Sequence, residues 1–353
     1  MLKQLSDKKY KDTLEKQQYR IAGSHSAVKI CGWTKSMLRD EGGCYKLKFY
    51  GIMSNQCLQM TTSMSCANRC EFCWRGYKAP VSKDWKWAVD DPEEIIEQSI
   101  AAHHKLLIGF KGFERLNKKA YEQSLEVKHV ALSLTGEPII YPKINEIIDL
   151  FHKRGISTFL VTNAQYPEEI KKLRPITQLY ISMDAPNKKL LKKIDKPLFK
   201  DFWERFNKSL EYMAKRNDRT CIRITVIKGK NDVEPENYAH LIEKANTYFI
   251  EVKAYMHVGE SRERLKEDNM PTHEEVVEFS KEINKHLKNY EIVSEHIPSR
   301  VVLLAKKKFK KNGKWHTWIN FKDTSKLLPT PTTGLSNKGT KDLIRQRKQD
   351  NKK

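Results

Sequence analysis

Short apolar runs alternate along this chain with amphipathic segments, and this alternation restricts the fold more than any other feature. Five runs have the near-continuous apolar character of strands buried on both faces: 130–134, 156–161, 179–183, 222–227 and 250–255. The segments between them have helical periodicity. Strands that alternate with helices are typical of a parallel sheet, so the sequence predicts an α/β fold.

Capping residues mark several of the predicted helices. Asp91 stands before Pro92, a pair typical of a helix start, and apolar side chains recur at helical spacing from Ile144. Thr272 and Glu275 have the spacing of a capping box. These signals indicate helices between the strands.

With a first strand near 58–62, the runs make about six strand–helix units, too few for a closed eight-stranded barrel. We therefore predict a partial (β/α)6 TIM-like barrel over residues 57–300, open at one side to a large substrate. Residues 1–56 form an N-terminal extension. Asn312-Gly313 lies between apolar runs and predicts a C-terminal β-ribbon over 301–321. Residues 322–353, rich in Pro, Thr, Gly and Lys, are predicted to be a basic flexible tail.

The charge of the chain favours a polyanionic partner. Lys and Arg number 66 against 44 Asp and Glu, which gives a formal net charge of +22. Nucleic acid is the leading candidate, and a solvated lysine-rich surface without a partner is the alternative. The chain has no signal peptide and no run of about 18 apolar residues, so we expect a cytoplasmic protein without a membrane span.

Six of the seven cysteines fall between residues 31 and 73. In a reducing cytoplasm such a cluster indicates metal ligands or reactive groups. Cys66, Cys70 and Cys73 form C-x3-C-x2-C, and three thiolates on one loop can bind three irons of a 4Fe-4S cubane. A zinc site is the alternative, but structural zinc usually takes four protein ligands and no second CxxC pair is present. The loop follows the first strand, at the barrel mouth where active sites lie.

This motif, with Phe72 before its last cysteine, resembles the radical S-adenosylmethionine (SAM) superfamily. The segment 135–138, Thr-Gly-Glu-Pro, is similar to the Gly-Glu-Pro segment that lies beside the SAM amino group in that superfamily, with Thr135 as a mild variant. The resemblance implies that six residues bind SAM: Thr135, Gly136, Glu137, Asn163, Ser182 and Asp184. A turn or helix cap after a strand is the alternative for Asn163, Ser182 and Asp184.

Cys31, Cys44 and Cys57 lie upstream at intervals of thirteen positions. Together with the radical motif they resemble the tRNA 4-demethylwyosine synthases, whose archaeal form lacks the flavodoxin domain of eukaryotic members. The resemblance runs from about residue 31 to 300 and includes Phe72-Cys73-Trp74-Arg75 and Ser182-Met183-Asp184-Ala185-Pro186. A methylthiotransferase, which also has three cysteines ahead of the radical motif, and a non-catalytic tRNA-binding metalloprotein are the alternatives.

The resemblance implies a second 4Fe-4S cluster on Cys31, Cys44 and Cys57, and pyruvate as a substrate that forms a Schiff base with Lys46. A surface lysine is the alternative for Lys46. The implied reaction is that of a carbon–carbon lyase, which condenses pyruvate with the N1-methylguanosine next to the anticodon of tRNA-Phe. An external donor, a ferredoxin or flavodoxin, would supply electrons, and we expect a monomer.

Aromatic and basic segments could hold the anticodon loop. Residues 74–78 and 85–87 combine Trp and Tyr with Arg and Lys, and ordinary packing is the alternative for them. The lysines of 306–311 offer phosphate contacts. Cys221 lies within an alternating strand and is predicted to be a core residue.

Overall fold

The computed structural model describes residues 8–76, 79–322 and 327–328. Its main sheet has ten strands in the spatial order β1-β2-β3-β4-β5-β6-β7-β8-β10-β9. In chain order these are β1 (Arg20–Ala22), β2 (Ser26–Val28), β3 (Cys57–Thr61), β4 (His129–Leu132), β5 (Ser157–Thr162), β6 (Gln178–Ser182), β7 (Arg219–Val226), β8 (Phe249–Ala254), β9 (Tyr290–His296) and β10 (Val301–Lys306).

The six strands β3 to β8 are parallel, each paired with the next along the chain. Antiparallel strands extend this parallel block on both sides, β1 and β2 at one edge and β10 and β9 at the other. Within the described residues the sheet ends at β1 and β9 and does not close on itself. The prediction of a partial (β/α)6 barrel is confirmed.

The helices between the strands begin where the capping signals predicted. Asp91 accepts a hydrogen bond from the backbone N of Glu93, and Thr272 and Glu275 form both bonds of a capping box. The helices are α1 (Lys8–Lys16), α2 (Gly32–Leu38), α3 (Tyr45–Tyr50), α4 (Pro92–Ile108), α5 (Lys118–Ser124), α6 (Ile144–Lys153), α7 (Pro167–Lys172), α8 (Lys188–Asp195), α9 (Phe202–Ala214), α10 (Pro235–Ala245) and α11 (His273–Lys285).

The two faces of the sheet have different cores, because alternate residues of a strand point to opposite sides. The outer face packs against helices, with Leu58, Ile181 and Ile222 among the buried strand residues. On the inner face, Phe159 and Tyr180 pack against aromatic residues of α3. The extension therefore fills part of the barrel. Cys221 lies in this inner core, fully buried, as predicted.

The prediction of one C-terminal β-ribbon over 301–321 is wrong, because this segment divides between the main sheet and two short pairs of strands. Residues 301–306 are β10, which lies inside the main sheet between β8 and β9. The Asn312-Gly313 turn joins only β11 (Lys310–Lys311) and β12 (Lys314–Trp315), while β13 (Trp318–Ile319) pairs with β14 (Leu327–Leu328). The reason is that β10 is apolar on both faces, so a two-sided core stabilises it better than an exposed ribbon would. The basic tail lies largely outside the described residues.

No helix of the described residues has the length and apolar character needed to cross a membrane.

Candidate active site

The cysteine loop 66–73 follows β3, at the carboxyl edge of the parallel strands. Cys66, Cys70 and Cys73 are half-buried and none is in a disulfide. The side-chain Nδ2 of Asn163, just after β5, and the backbone N of Asn68 each donate to the Cys66 sulfur at 3.4 Å. Burial raises the pKa of Cys66 to about 11. The first cysteine of the motif thus accepts one hydrogen bond from its own loop and one from the residue after β5.

Two arginines brace this loop through its backbone carbonyls. The guanidinium of Arg75 donates to the carbonyls of Met64 and Pro80, both at 3.1 Å. Arg264, from the segment after β8, donates to the Glu71 carbonyl at 3.0 Å and also to the Cys73 carbonyl. Both arginines line a cavity beside the loop. Its lining residues are Arg69, Cys70, Cys73, Arg75, Gly76, Val81 and Arg264. Sequence reasoning missed Arg264, because no local pattern links it to a loop so distant in the chain.

The predicted SAM segment after β4 lies directly against the cysteine loop. Gly136 has φ +67°, and a Cβ there would come within 1.9 Å of the Ser63 carbonyl oxygen, so only glycine fits. The backbone N of Glu137 donates to the Ser65 carbonyl at 2.7 Å. One oxygen of Glu137 accepts from the Asn163 backbone N at 2.9 Å. The structure therefore brings together Gly136, Glu137, Asn163 and Cys66.

Several buried polar atoms at this edge have no hydrogen-bond partner among the described residues: Thr135 Oγ1, Glu137 Oε1 and Asp184 Oδ1. Burial raises the pKa of Glu137 and of Asp184 to about 7. Unpaired buried groups are costly and usually await a ligand or water. An amino acid with ribose hydroxyls, such as SAM, offers the donors these atoms lack, so the predicted residues fit that cofactor. Ser182, half-buried, ends the neighbouring strand β6.

Asp195 is a buried acid that sequence reasoning did not find. It ends α8, where its side chain accepts from Asn68 Nδ2 at 3.2 Å. Burial and the neighbouring Asp184 raise the pKa of Asp195 well above its ordinary range. Asp195 therefore joins the same edge of the sheet as the cysteine loop.

The upstream cysteines converge on the inner face. Cys31 precedes α2, Cys44 precedes α3, and Cys57 is the first residue of β3. The three thiols are close enough to act on one another electrostatically, and burial raises the pKa of Cys44 and Cys57 to about 12. Three cysteines from separate elements thus form one set.

Lys46 lies on α3 beside this set. Its Nζ is 4.7 Å from the ring centroid of Tyr180 and 5.6 Å from that of Phe159. Burial and the nearby Arg223 lower the pKa of Lys46, while Glu251 and the cysteines oppose the shift. Lys46 is therefore a barrel-interior lysine, and the alternative of an ordinary surface lysine does not hold.

A buried polar network fixes α3 within the barrel. Glu251, in the middle of β8, accepts from the hydroxyls of Tyr45 and Tyr50, each at 2.9 Å. Arg223 of β7 donates to Glu251 at 3.1 Å and to the Tyr45 hydroxyl at 2.9 Å. Oppositely charged residues within two neighbouring, mainly apolar strands, Arg223 in β7 and Glu251 in β8, were the sequence signal that could have revealed this network.

Toward the carboxyl edge the inner face opens to solvent. The half-buried residues there include Asn163, Ser182, Arg223 and Lys253, whereas Phe159, Tyr180 and Phe249 nearer the amino edge are buried. The open part of the inner face thus lies between α3 and the cysteine loop.

Comparisons with known proteins agree with this arrangement. The radical SAM superfamily matches residues 60–242 and the wyosine base formation family matches 244–306. The solved "Structure of TYW1 with a lysine-pyruvate adduct bound" has 37% identity and a TM-score of 0.78, covering 87% of this chain and 98% of that one. The chain belongs to the TYW1 family of radical SAM proteins.

Other members of the TYW1 family are also similar. A crystal structure of archaeal TYW1 has 33% identity and a TM-score of 0.71, covering 87% of this chain and 99% of that one. The S-adenosyl-L-methionine-dependent tRNA 4-demethylwyosine synthase TYW1 of Mus musculus is 50% identical over 319 residues, which are 90% of this chain and 44% of that protein. The synthase of Oryza sativa is 51% identical over 314 residues, which are 88% of this chain and 48% of that protein. The chain thus spans less than half the length of these two relatives.

Membership of the radical SAM superfamily implies a 4Fe-4S cluster, and the TYW1-family cysteine loop fits one. No three or more His, Cys, Asp or Glu side chains within residues 8–76, 79–322 and 327–328 are arranged to hold a single metal ion. A 4Fe-4S cubane does not need three ligands around one ion, since each thiolate binds a different iron. Three free, half-buried thiols, one of them accepting two hydrogen bonds, are the donors such a cluster takes.

Two interpretations of nucleic-acid contacts in this TYW1-family chain change with the structure. Trp85 and Trp87 pack around buried His25, with ring centroids 4.6 and 6.3 Å away, so ordinary packing describes them. The lysines of 306–311 begin at the last residue of β10, next to Ala305, which pairs with Phe249 at the amino end of β8. They therefore lie at the opposite edge of the sheet from the cysteine loop. Residues 77 and 78 lie outside the described residues.

Proposed function

We propose that this chain is a tRNA 4-demethylwyosine synthase, which condenses pyruvate with the N1-methylguanosine next to the anticodon of tRNA-Phe. The observation that carries the proposal is the placement of two sets of three free cysteines on one barrel, with Lys46 inside it. The names of the mouse and rice relatives, and the lysine-pyruvate adduct described for a similar structure, support the same activity.

The chain's own residues would hold the cofactors at the carboxyl edge. Cys66, Cys70 and Cys73 would bind the first cluster, and Glu137 with Asp184 would orient SAM through the oxygens that lack partners. When bound, the reduced cluster and SAM together would supply the 5′-deoxyadenosyl radical for removal of a hydrogen atom from the N1-methyl group. Asn163, which bonds to both Cys66 and Glu137, would keep the two ligand sites in register.

Cys31, Cys44 and Cys57 would bind the second cluster on the inner face, beside Lys46. The Lys46 amine would add to the keto carbon of pyruvate, and loss of one water would leave an imine between Nζ and that carbon. The Glu251 network would keep α3, and therefore Lys46, in place during this step. Arg223, also near Lys46, provides a positive charge suited to a carboxylate.

Reductive cleavage of SAM needs an external source of electrons. A separate ferredoxin or flavodoxin would reduce the first cluster, and the chain would act as a monomer. The addition of the Lys46 amine to pyruvate would need neither an electron donor nor a second copy of the chain.

The test is iron and acid-labile sulfide per chain after anaerobic reconstitution, for the wild type and for a Cys31→Ala, Cys44→Ala, Cys57→Ala variant. About eight irons falling to about four are expected if two three-cysteine clusters are present. About four irons in both proteins would contradict the second cluster. Mass spectrometry of the tRNA nucleoside then separates ring formation from sulfur insertion, the product of a methylthiotransferase.

A further inference from the structure

Helix α8 is locked to the loop that carries Cys66, Cys70 and Cys73. The carbonyls of Ile194 and Asp195 accept from the backbone N of Glu71 and Arg69, at 2.8 and 2.9 Å. Just beyond the helix, the backbone N of Leu198 donates to the Ala67 carbonyl at 2.8 Å. Any group on α8 therefore has a defined position relative to the candidate radical site.

The two sides of α8 differ in character. Leu191 and Ile194 are buried against the barrel. Lys189, Lys192 and Lys193 are exposed on the opposite side. These three lysines lie at positions i, i+3 and i+4 and form one stripe, and Lys196 follows at the left-handed residue that ends the helix.

The lysines on either side of this stripe have counter-charges, whereas the stripe itself has none among the described residues. Lys188 pairs with Glu204 at 2.7 Å and Lys196 pairs with Glu71 at 3.5 Å. Lys189, Lys192 and Lys193 pair with no acid in the part of the chain that the structure describes. Like charges at this spacing repel one another, and only Lys192 and Lys193, in the last turn, gain from the negative end of the helix dipole.

We propose that Lys189, Lys192 and Lys193, here called the α8 stripe, bind the phosphate backbone of the RNA whose base enters the barrel. The inference rests on the proposed function and adds the surface that holds the substrate. It follows from position and charge, because α8 comes after β6 at the carboxyl edge, where a base reaching the cysteine loop must bring its flanking phosphates. The lysines of 306–311 have the same charge at the wrong edge.

Two charge-matched variants test the α8 stripe. The first is Lys189→Gln, Lys192→Gln, Lys193→Gln. The control is Lys307→Gln, Lys311→Gln, Lys314→Gln, three exposed positions at the amino edge. The probe is tRNA-Phe carrying N1-methylguanosine, with dissociation constants measured by filter binding at several salt concentrations.

The α8 variant should lose affinity by about tenfold or more, and the slope of log K against log salt should fall by about two to three. The control should stay within about twofold of the wild type, and Lys→Arg at the three α8 positions should restore binding. SAM cleavage without RNA should match the wild type, which shows that the helix still supports the loop.

Equal losses in the two variants, or none in the α8 variant, would overturn the α8 stripe while leaving the synthase proposal intact. Loss of binding to phosphatidylserine vesicles without loss of tRNA affinity would assign the stripe to a membrane and overturn it too. A wild type with no affinity for tRNA would overturn both proposals.

Discussion

The hydroxyl of Tyr45 donates a hydrogen bond to the buried carboxylate of Glu251 across 2.9 Å. Tyr45 is the first residue of α3 and directly follows Cys44, whereas Glu251 lies in the middle of β8. Tyr50, at the other end of α3, donates to the second oxygen of the same carboxylate. One acid thus holds both ends of the helix that carries Lys46, and this makes Glu251 a positioning residue.

Glu251→Gln should destabilise the protein and loosen the upstream cysteine set. The change removes the negative charge that faces Arg223, and a buried charge without its partner costs about 3 kcal/mol or more in the free energy of unfolding. Urea unfolding measures this loss. Iron per chain should also fall toward that of the Cys31→Ala, Cys44→Ala, Cys57→Ala variant.

Glu122→Gln, exposed on α5, is the matched control and should leave both quantities unchanged. An unaltered unfolding midpoint and iron content in Glu251→Gln would rule out the positioning role.

Gly136→Ala should disrupt the predicted SAM segment. The new Cβ would meet the Ser63 carbonyl at 1.9 Å, so the backbone next to the cysteine loop must move. Gly155→Ala is a close control, because Gly155 has a similar φ of +70° and nothing within 4 Å of its Cβ position. The free energy of unfolding of the control should fall by about 1–2 kcal/mol, because alanine is disfavoured in the left-handed backbone conformation.

Gly136→Ala should lose more stability than Gly155→Ala, and SAM affinity should fall only in Gly136→Ala. Thermal unfolding and equilibrium dialysis with labelled SAM measure the two effects. Equal behaviour of the two variants would mean that the close contact with Ser63 is unimportant.

Asn163→Ala removes the side-chain donor to the Cys66 sulfur, which lies 3.4 Å away. Partners of a metal ligand typically contribute about 10–100-fold to activity or metal affinity. We expect reductive SAM cleavage to fall within that range while the fold is retained. Asn289→Ala, exposed at the amino edge, should cleave SAM at the wild-type rate. Wild-type cleavage by Asn163→Ala would remove Asn163 from the site.

His103 should make stability depend on pH. Burial in α4, with a contribution from His104, lowers the pKa of His103 to about 4. As the pH falls below about 6.5, the unfolded chain binds a proton that the folded chain does not. The stabilisation is therefore complete above about pH 6.5 and is lost as the pH falls toward about 4.

Unfolding free energies at pH 7.5 and pH 5 check this prediction. The wild type should lose about 2 kcal/mol more than His103→Leu over that interval. His240→Gln, exposed on α10, should keep the wild-type dependence. The same loss in His103→Leu would assign the dependence to other groups.

Local patterns along the chain were enough to predict much of this protein. Helix caps at Asp91 and Thr272, the apolar strand segments and the C-x3-C-x2-C loop are all set by residues close in sequence. Such interactions depend on neighbouring backbone groups and on the period of the apolar side chains, so they can be read without tertiary information.

Contacts between distant segments were decided only by the tertiary structure. The bracing of the cysteine loop by Arg264, the Tyr45–Glu251 bond and the placement of β10 inside the sheet all join elements far apart in the chain. The position of the lysine clusters was also decided by the tertiary structure. The sequence shows their charge, but it does not show at which edge of the sheet they lie. Packing geometry placed α8 at the carboxyl edge and 306–311 at the amino edge, because strand direction and register determine where each loop emerges.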